Sequence, residues 1–211
     1  MIAMEARLYG ILDMAYVSRA NLSKVANEML RGGVDVVQLR AKNLEPIEIE
    51  DIGHVLRGIT RECGAPLIIN DHPEIAAAVG ADGVHVGQDD LSVSEARERA
   101  GNIPIVGKST HSLEQAVAGQ EEGANYIGFG PIFPTQTKPD YTPIGTEDIA
   151  EVHQRVNIPI FGIGGITLEN LPGLLEAGLR RVVIVSAILL AEDISAYVRA
   201  VKHQLIVAHE G

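Results

Sequence analysis

Two rhythms of apolar residues alternate along the chain. Short runs rich in Val, Ile and Leu recur at Leu8 to Leu12, Val34 to Arg40, Pro66 to Ile69, Gly83 to Val86, Pro104 to Gly107, Tyr126 to Phe129, Ile158 to Gly162 and Arg181 to Val185. They predict strands buried on both faces, as in a parallel sheet. Between them lie stretches whose apolar positions repeat at three and four: Leu22 to Leu30, Ile47 to Ile59, Glu74 to Val79, Leu113 to Glu122 and Leu168 to Ala177 are examples. Those predict helices with one buried face. Helices are also expected from Ser92 to about Ala100, from about Thr146 to Arg155 and over most of Ile188 to His203. Arg31-Gly32-Gly33 and Gly178 read as helix stops, and Ser92, Ser94 and His111-Ser112 as helix starts.

Roughly eight strand-then-helix units with short loops and no linker predict one (β/α)8 TIM barrel over residues 1–211. A doubly wound open sheet is the alternative. It calls for a glycine-rich turn after the first strand, and Leu12-Asp13-Met14 is not one. Composition adds that the core is aliphatic, since hydrophobic residues make up 46% of the chain and aromatics 4%. No apolar run approaches the ~20 residues of a membrane span, and the first residues lack the pattern of a signal peptide. A soluble cytoplasmic protein is expected on that basis. The single cysteine, Cys63, cannot form an internal disulfide. A net charge of −11 argues against nucleic acid or an anionic membrane as partner. It leaves room for a phosphorylated small molecule held by a few converging basic groups. Oligomeric state stays open, a homo-oligomer being compatible with the sequence.

A barrel of this kind carries its site at the C-terminal strand ends. Polar groups collect there in this chain: Gln38, Arg40 and Lys42; Asn70 and Asp71; Gln88, Asp89 and Asp90; Ser109 and His111; Thr135, Thr137 and Lys138; Gly164 and Gly165; Ser186. Asp71 and Asp90 close consecutive strands. Two neighbouring carboxylates share a proton or a cation, and with Arg40, Lys42 and Lys138 near they point to Mg²⁺ held jointly with phosphate oxygens. The competing explanation is that they are helix N-caps. Scattered histidines and the lack of a cysteine ligand set argue against zinc. Phe161 to Thr167, with its Gly164-Gly165 turn, and Val185-Ser186 occupy the strand-seven and strand-eight positions where barrels of this type bind phosphate. Pro131 to about Pro143 reads as a mobile loop between these two anion sites.

Taken together, Gln38-Leu39-Arg40-Ala41-Lys42, Asn70-Asp71, Gly83 to Asp90, Gly107 to His111, Gly130 to Lys138 and Gly162 to Ile166 resemble the thiamine-phosphate synthase family, also called thiamine-phosphate pyrophosphorylase. The resemblance covers nearly the whole chain. It implies a (β/α)8 barrel that joins a hydroxymethylpyrimidine diphosphate to a thiazole phosphate, or its carboxylated precursor, and releases pyrophosphate. It further implies that Arg40, Lys42, Asn70, Ser109 and Lys138 hold the diphosphate and that Gln38 and Tyr9 position the ring. The motif neighbours Leu39, Ala41 and Gln136 would complete the binding stretches. Asp71 and Asp90 would bind Mg²⁺, while Thr135, Thr137, Gly165, Val185 and Ser186 would hold the thiazole phosphate. Arg40, Lys42, Ser109 and Lys138 would be the catalytic group. The chain departs from the family pattern at Leu12-Asp13, where many members have Thr-Asp; that departure touches only a peripheral contact.

Two competing readings remain. A related thiazole tautomerase shares the barrel and resembles this chain at His111-Ser112-Leu113-Glu114, where a histidine moves a proton; here His111 is expected as a helix cap or a supporting group. A non-catalytic barrel that senses a phosphorylated vitamin precursor is the other. His85 and the remaining histidines are expected in core, loop or surface roles.

Overall fold

A computed structural model describes residues 5–135 and 142–210. Eight parallel strands close into a barrel in sequence order: β1 (Leu8–Asp13), β2 (Val36–Arg40), β3 (Leu67–Asn70), β4 (Gly83–Val86), β5 (Ile105–Thr110), β6 (Tyr126–Phe129), β7 (Ile160–Gly162) and β8 (Val182–Ile184). Helices α1 (Leu22–Gly32), α2 (Pro46–Glu62), α3 (Pro73–Ala78), α4 (Val93–Arg99), α5 (Leu113–Glu121), α6 (Ile149–Arg155) and α7 (Leu171–Glu176) fill the crossovers, and α8 (Ser186–Leu189) and α9 (Ile194–Glu210) follow β8. The barrel and its unit order match the expectation from the sequence. Among the described residues no helix is long and apolar enough to cross a membrane.

Alternation along each strand sorts side chains into two layers. Outward residues such as Leu8, Leu12, Val37, Leu39, Leu67, Ile69, Val84 and Val86 join the helices in the larger core. Inward residues, among them Tyr9, Ile11, Val36, Ile68, Ile105, Tyr126, Phe161 and Val183, fill the barrel itself. Three of the chain's eight aromatics meet here: Phe161 lies edge-on to Tyr9 and Tyr126, at centroid distances of 5.5 and 5.7 Å. Such pairs add about 0.5–1.5 kcal/mol beyond area burial. Rings of this size need space opposite. Gly107 supplies it, because it pairs with Tyr126 across β5 and β6 and a β-carbon there would lie 2.1 Å from Tyr126 Cζ.

The ring of helices closes where α9 meets α1. Leu22, Ala26, Met29 and Gly32 form the buried stripe of α1, and Gly32 lets Val198 of α9 approach. Below them Asp35 accepts the N–H groups of Arg7 and Leu8 at 2.8 and 2.9 Å and pairs with Lys202 of α9. First strand and last helix are thereby tied together at the barrel's closed end.

Two boundaries differ from expectation for physical reasons. β5 runs to Thr110 and not only to Gly107, although Lys108-Ser109-Thr110 is polar. Lys108 faces outward with its ammonium 4.0 Å from the Glu122 carboxylate, an ion pair, and Thr110 Oγ1 donates to the Gly128 carbonyl at 3.0 Å, so each polar group has a partner within the fold. The last helical stretch divides into α8 and α9, separated by a break at positions 190–193.

Candidate active site

The C-terminal end of the barrel opens into a cavity of about 860 Å³, open solvent included. Gln38, Arg40, Asn70, Ser109, Thr135, Gly165, Val185 and Ser186 line it, eight of the residues singled out from the sequence. Parity explains their meeting. Gln38 and Arg40 are two apart on β2, Asn70 ends β3 and Ser109 lies on the inward side of β5, so all project to the same interior.

The same parity removes Leu39 and Ala41. Both are buried in the layer between barrel and helices, and a ligand in the cavity would not touch their side chains. Tyr9 lies beneath the cavity rather than on its wall, where its hydroxyl accepts from Gln38 Nε2 at 2.8 Å. Lys42 is also outside the lining; its ammonium sits 2.8 Å from Asp71 Oδ2 and is half exposed. Gln136, Thr137 and Lys138 lie outside the described residues.

Arg40 is held by a partner to which no role is assigned from the sequence. Asp13 faces Arg40 across β1 and β2, and Arg40 Nη1 donates to Asp13 Oδ2 at 2.5 Å. The other carboxylate oxygen accepts Ala15 N–H at 2.9 Å. Asp13 is 1% exposed, so this is a buried charge with both oxygens occupied. The departure from the family pattern is at Leu12, which is buried among the helices; Asp13 matches that pattern and fixes the guanidinium that reaches the cavity.

Asp71 and Asp90 follow adjacent strands, but neither caps a helix. His72 and Ser92 occupy those cap positions, and Asp90 Oδ2 accepts Gly87 N–H at 2.7 Å to close the turn after β4. Asp71 has φ 64, a left-handed backbone that costs a non-glycine residue energy and clusters at functional sites. Its N–H donates to the His85 carbonyl at 2.9 Å, which links the ends of β3 and β4. Among the described residues no group of three or more His, Cys, Asp or Glu side chains could hold a metal unaided. Two hard oxygen donors fit Mg²⁺ only in the mode where substrate and water supply most of its ligands.

The opposite wall is made from backbone. Gly164 and Gly165 have φ 98 and 63, and a β-carbon on them would lie 2.4 Å from Pro131 Cβ and 2.6 Å from the Pro134 carbonyl oxygen. The segment after β6 lies directly on this turn: Ile132 and Phe133 donate to the Ile163 and Gly164 carbonyls at 2.8 and 3.1 Å, and Ile144 donates to Pro131 at 2.8 Å. The start of the expected loop, 131–133, is hydrogen-bonded to this turn, and its Ile132 is 1% exposed. Asn170 braces the turn from α7, its Nδ2 donating to the Gly165 carbonyl at 2.9 Å.

Two histidines reach the cavity that the sequence reading placed elsewhere or left in a supporting role. Ser112 is the cap of α5, accepting Gln115 N–H, whereas the His111 ring lines the cavity and Nδ1 hydrogen-bonds the Gly130 carbonyl. His85 points inward from the middle of β4, with Nδ1 3.0 Å from Tyr126 OH and Nε2 2.9 Å from Ser109 Oγ. Tyr126 OH lies 2.9 Å from Tyr9 OH. Burial pushes both phenols' pKa values up, outweighing for Tyr9 the lowering by its bonds to Tyr126 and Gln38; for Tyr126 the adjacent Tyr9 adds to the rise. Gln38, Tyr9, Tyr126, His85 and Ser109 thus form one hydrogen-bonded string under and beside the cavity.

A model of the family described as thiamine monophosphate synthase matches residues 8–188. A thiamine-phosphate synthase of Halalkalibacterium halodurans is 43% identical over 189 residues, 89% of this chain and 90% of the relative. One from Chloroflexus aurantiacus is 40% identical over 205 residues, covering 97% of this chain and 94% of its own. Among solved structures, a thiamine phosphate pyrophosphorylase from Pyrococcus furiosus aligns at TM-score 0.88 and 34% identity over 96% of each chain. A 3-hexulose-6-phosphate synthase at 18% identity and TM-score 0.71 is similar in fold alone.

Proposed function

The chain belongs to the thiamine monophosphate synthase family, and from that premise we propose that it couples 4-amino-2-methyl-5-hydroxymethylpyrimidine diphosphate to 4-methyl-5-hydroxyethylthiazole phosphate or its carboxylated precursor. The products are thiamine phosphate and pyrophosphate, with carbon dioxide released in addition when the carboxylated precursor is the acceptor. The observation that carries this reading is a single cavity with an arginine on one wall, a positive-φ glycine turn on the other and a buried amide, Gln38, between them.

In this reading the diphosphate lies against Arg40, Asn70 and Ser109, with Lys42 at the rim, and Lys138, outside the described residues, would add its charge. The carbon–oxygen bond of the methylene breaks, and its electron pair leaves with pyrophosphate. The aminopyrimidine ring delocalises the resulting cation, and the thiazole nitrogen donates its lone pair to the methylene carbon. Preorganised positive charge where negative charge develops is the dominant contribution. Arg40 is preorganised by Asp13, so it need not reorient as the leaving group departs. Asp71 and Asp90 are the residues that would hold Mg²⁺, which supplies further positive charge to the departing diphosphate when bound. Gly165, Val185, Ser186, Thr135 and Thr137 would receive the thiazole phosphate, aligning the nitrogen for capture. The apolar residues Ile11, Ile163, Ile166 and Val183 keep the site's interior dry, protecting a reactive cation from water.

The test is a coupling assay with both substrates, with and without Mg²⁺, scored for thiamine phosphate and pyrophosphate in equal amounts. Turnover unchanged in excess chelator would remove the metal from the scheme, and absence of product under all conditions would remove the scheme. His111 on the cavity wall favours one second reading, proton transfer on the thiazole. Tautomer conversion of the thiazole without any pyrimidine substrate would support it.

A further inference from the structure

The string from Gln38 to Ser109 has a direction, and the direction decides what Ser109 can offer a ligand. An amide nitrogen only donates, so at Gln38 Nε2 the Tyr9 oxygen accepts. The one phenolic hydrogen of Tyr9 is then available to Tyr126, 2.9 Å away. Tyr126, having accepted, donates its own hydrogen to His85 Nδ1. His85 is left with its hydrogen on Nε2, which donates to Ser109 Oγ. Ser109 has then accepted, and its hydroxyl hydrogen is directed to the cavity. Raised phenol pKa values keep both tyrosine hydrogens in place through the neutral range.

We propose that the buried string Gln38–Tyr9–Tyr126–His85–Ser109 holds His85 as the neutral Nε2–H tautomer and makes Ser109 a hydrogen-bond donor to an anion in the cavity, His85 acting as a positioning residue. The reverse polarity is equally continuous. A Gln38 carbonyl oxygen turned toward Tyr9 would draw every hydrogen the other way and make Ser109 donate to His85, presenting only oxygen lone pairs to an anion. The orientation of one amide therefore sets the character of a hydroxyl on the far side of the barrel. Resting on the functional reading above, a ring amino group that donates to Gln38 Oε1 pins the amide in the productive orientation, and a ring presenting an acceptor at that place does not. Discrimination at the ring is thereby coupled to grip on the diphosphate, without a residue touching both.

The polarity is measured first in the free protein. Imidazole ¹H–¹⁵N correlations of ¹⁵N-histidine-labelled protein, with His85 assigned by loss of its signals in His85→Gln, are expected to show Nε2 protonated and Nδ1 not. A protonated Nδ1 would overturn the proposal. Tyr126→Phe removes the donor to Nδ1 and is expected to shift His85 away from that tautomer; an unchanged tautomer would show that Tyr126 does not set it. The consequence for the anion is read with inorganic pyrophosphate as probe. Tyr126→Phe is expected to weaken its binding ~5-fold, an effect of the order of one neutral hydrogen bond, and to have no further effect in a Ser109→Ala background. Equal effects in both backgrounds would overturn the route through Ser109. Pyrophosphate that fails to bind the unaltered protein would instead count against the functional reading, and the tautomer measurement would still decide the polarity.

Discussion

The two walls of the cavity are built from different parts of the polypeptide. On the β1 to β5 side, side chains do the work and are fixed by other side chains, Arg40 by Asp13 and Ser109 by His85, while Lys42, outside the lining, is paired with Asp71. On the β6 to β8 side, backbone does it, and Gly164, Gly165 and the 131–135 segment fit because no β-carbons intervene. The first wall can place concentrated charge and is sensitive to the loss of either member of a pair. The second can approach a ligand closely and is sensitive to the gain of a single carbon. In the proposed reaction the leaving group, which gains charge, would face the first wall, and the acceptor's phosphate, which only has to be held, the second.

Removing a charge from the first wall is expected to give the largest effect. Arg40→Ala should lower kcat/KM by ~10²–10³, as for loss of a preorganised transition-state contact. It should also cost about 3–5 kcal/mol in urea unfolding, because Asp13 is left buried without its partner. Asp13→Asn keeps the volume, and should lower kcat more than it changes KM if Asp13 acts by holding Arg40; a kcat within twofold of the original would break that link. Next, Gly165→Ala should raise KM for the thiazole phosphate ~10-fold or more with KM for the pyrimidine substrate little changed, since φ 63 strains a residue with a β-carbon and the 2.6 Å approach of the Pro134 oxygen leaves no room for one. Equal rises in both KM values would mean that the two walls do not divide the substrates.

His111 stands between the walls, on the β5 side but bonded to the Gly130 carbonyl that precedes the second. His111→Asn keeps a donor near that carbonyl and should retain coupling within ~5-fold, about one hydrogen bond's worth. Complete loss in a folded variant would assign it chemistry. The smallest effect lies away from both walls. Burial, with the Arg181 and Arg180 guanidiniums adding to it, holds His153 below its usual pKa, and its buried Nε2 has no hydrogen-bond partner among the described residues. The unfolded chain therefore binds the proton more readily, and stability is lost as pH falls from the ordinary histidine pKa of about 6.5 through the lowered folded value. Melting temperatures of His153→Leu should fall less than those of the parent between pH 7 and pH 5, with the coupling reaction unaffected at pH 7.5; parallel curves would exclude His153 as the source.

The second wall and the strand ends were readable from sequence because both rest on local signals. Gly164-Gly165 is visible as a dipeptide, and polar residues ending apolar runs mark the open end of a barrel. What was not legible depends on register. Asp13 becomes the partner of Arg40 only once β1 and β2 pair so that the two face each other. Leu39 and Ala41 were included with their motif, although strand alternation already separates them from Gln38 and Arg40. His85 had the same signal available, two positions from Gly83 and Gly87 between outward-facing valines, and inward parity would have placed it inside the barrel. Tyr126 had no such cue, because a tyrosine opening an apolar run looks like core, and its hydroxyl matters only when Tyr9 and His85 surround it.

Gly107 and Tyr126 constrain the history open to this barrel as well as its shape. With 2.1 Å between a β-carbon at 107 and the Tyr126 ring, no side chain can be gained at 107 while the tyrosine remains. A smaller residue at 126 must come first, and that step gives up the hydroxyl between Tyr9 and His85. The intermediate sequence is thus disfavoured in one order by collision and in the other by a broken string, a case of sign epistasis enforced by geometry. Lineages that keep this hydroxyl should keep both positions unchanged while the surrounding aliphatic residues drift freely.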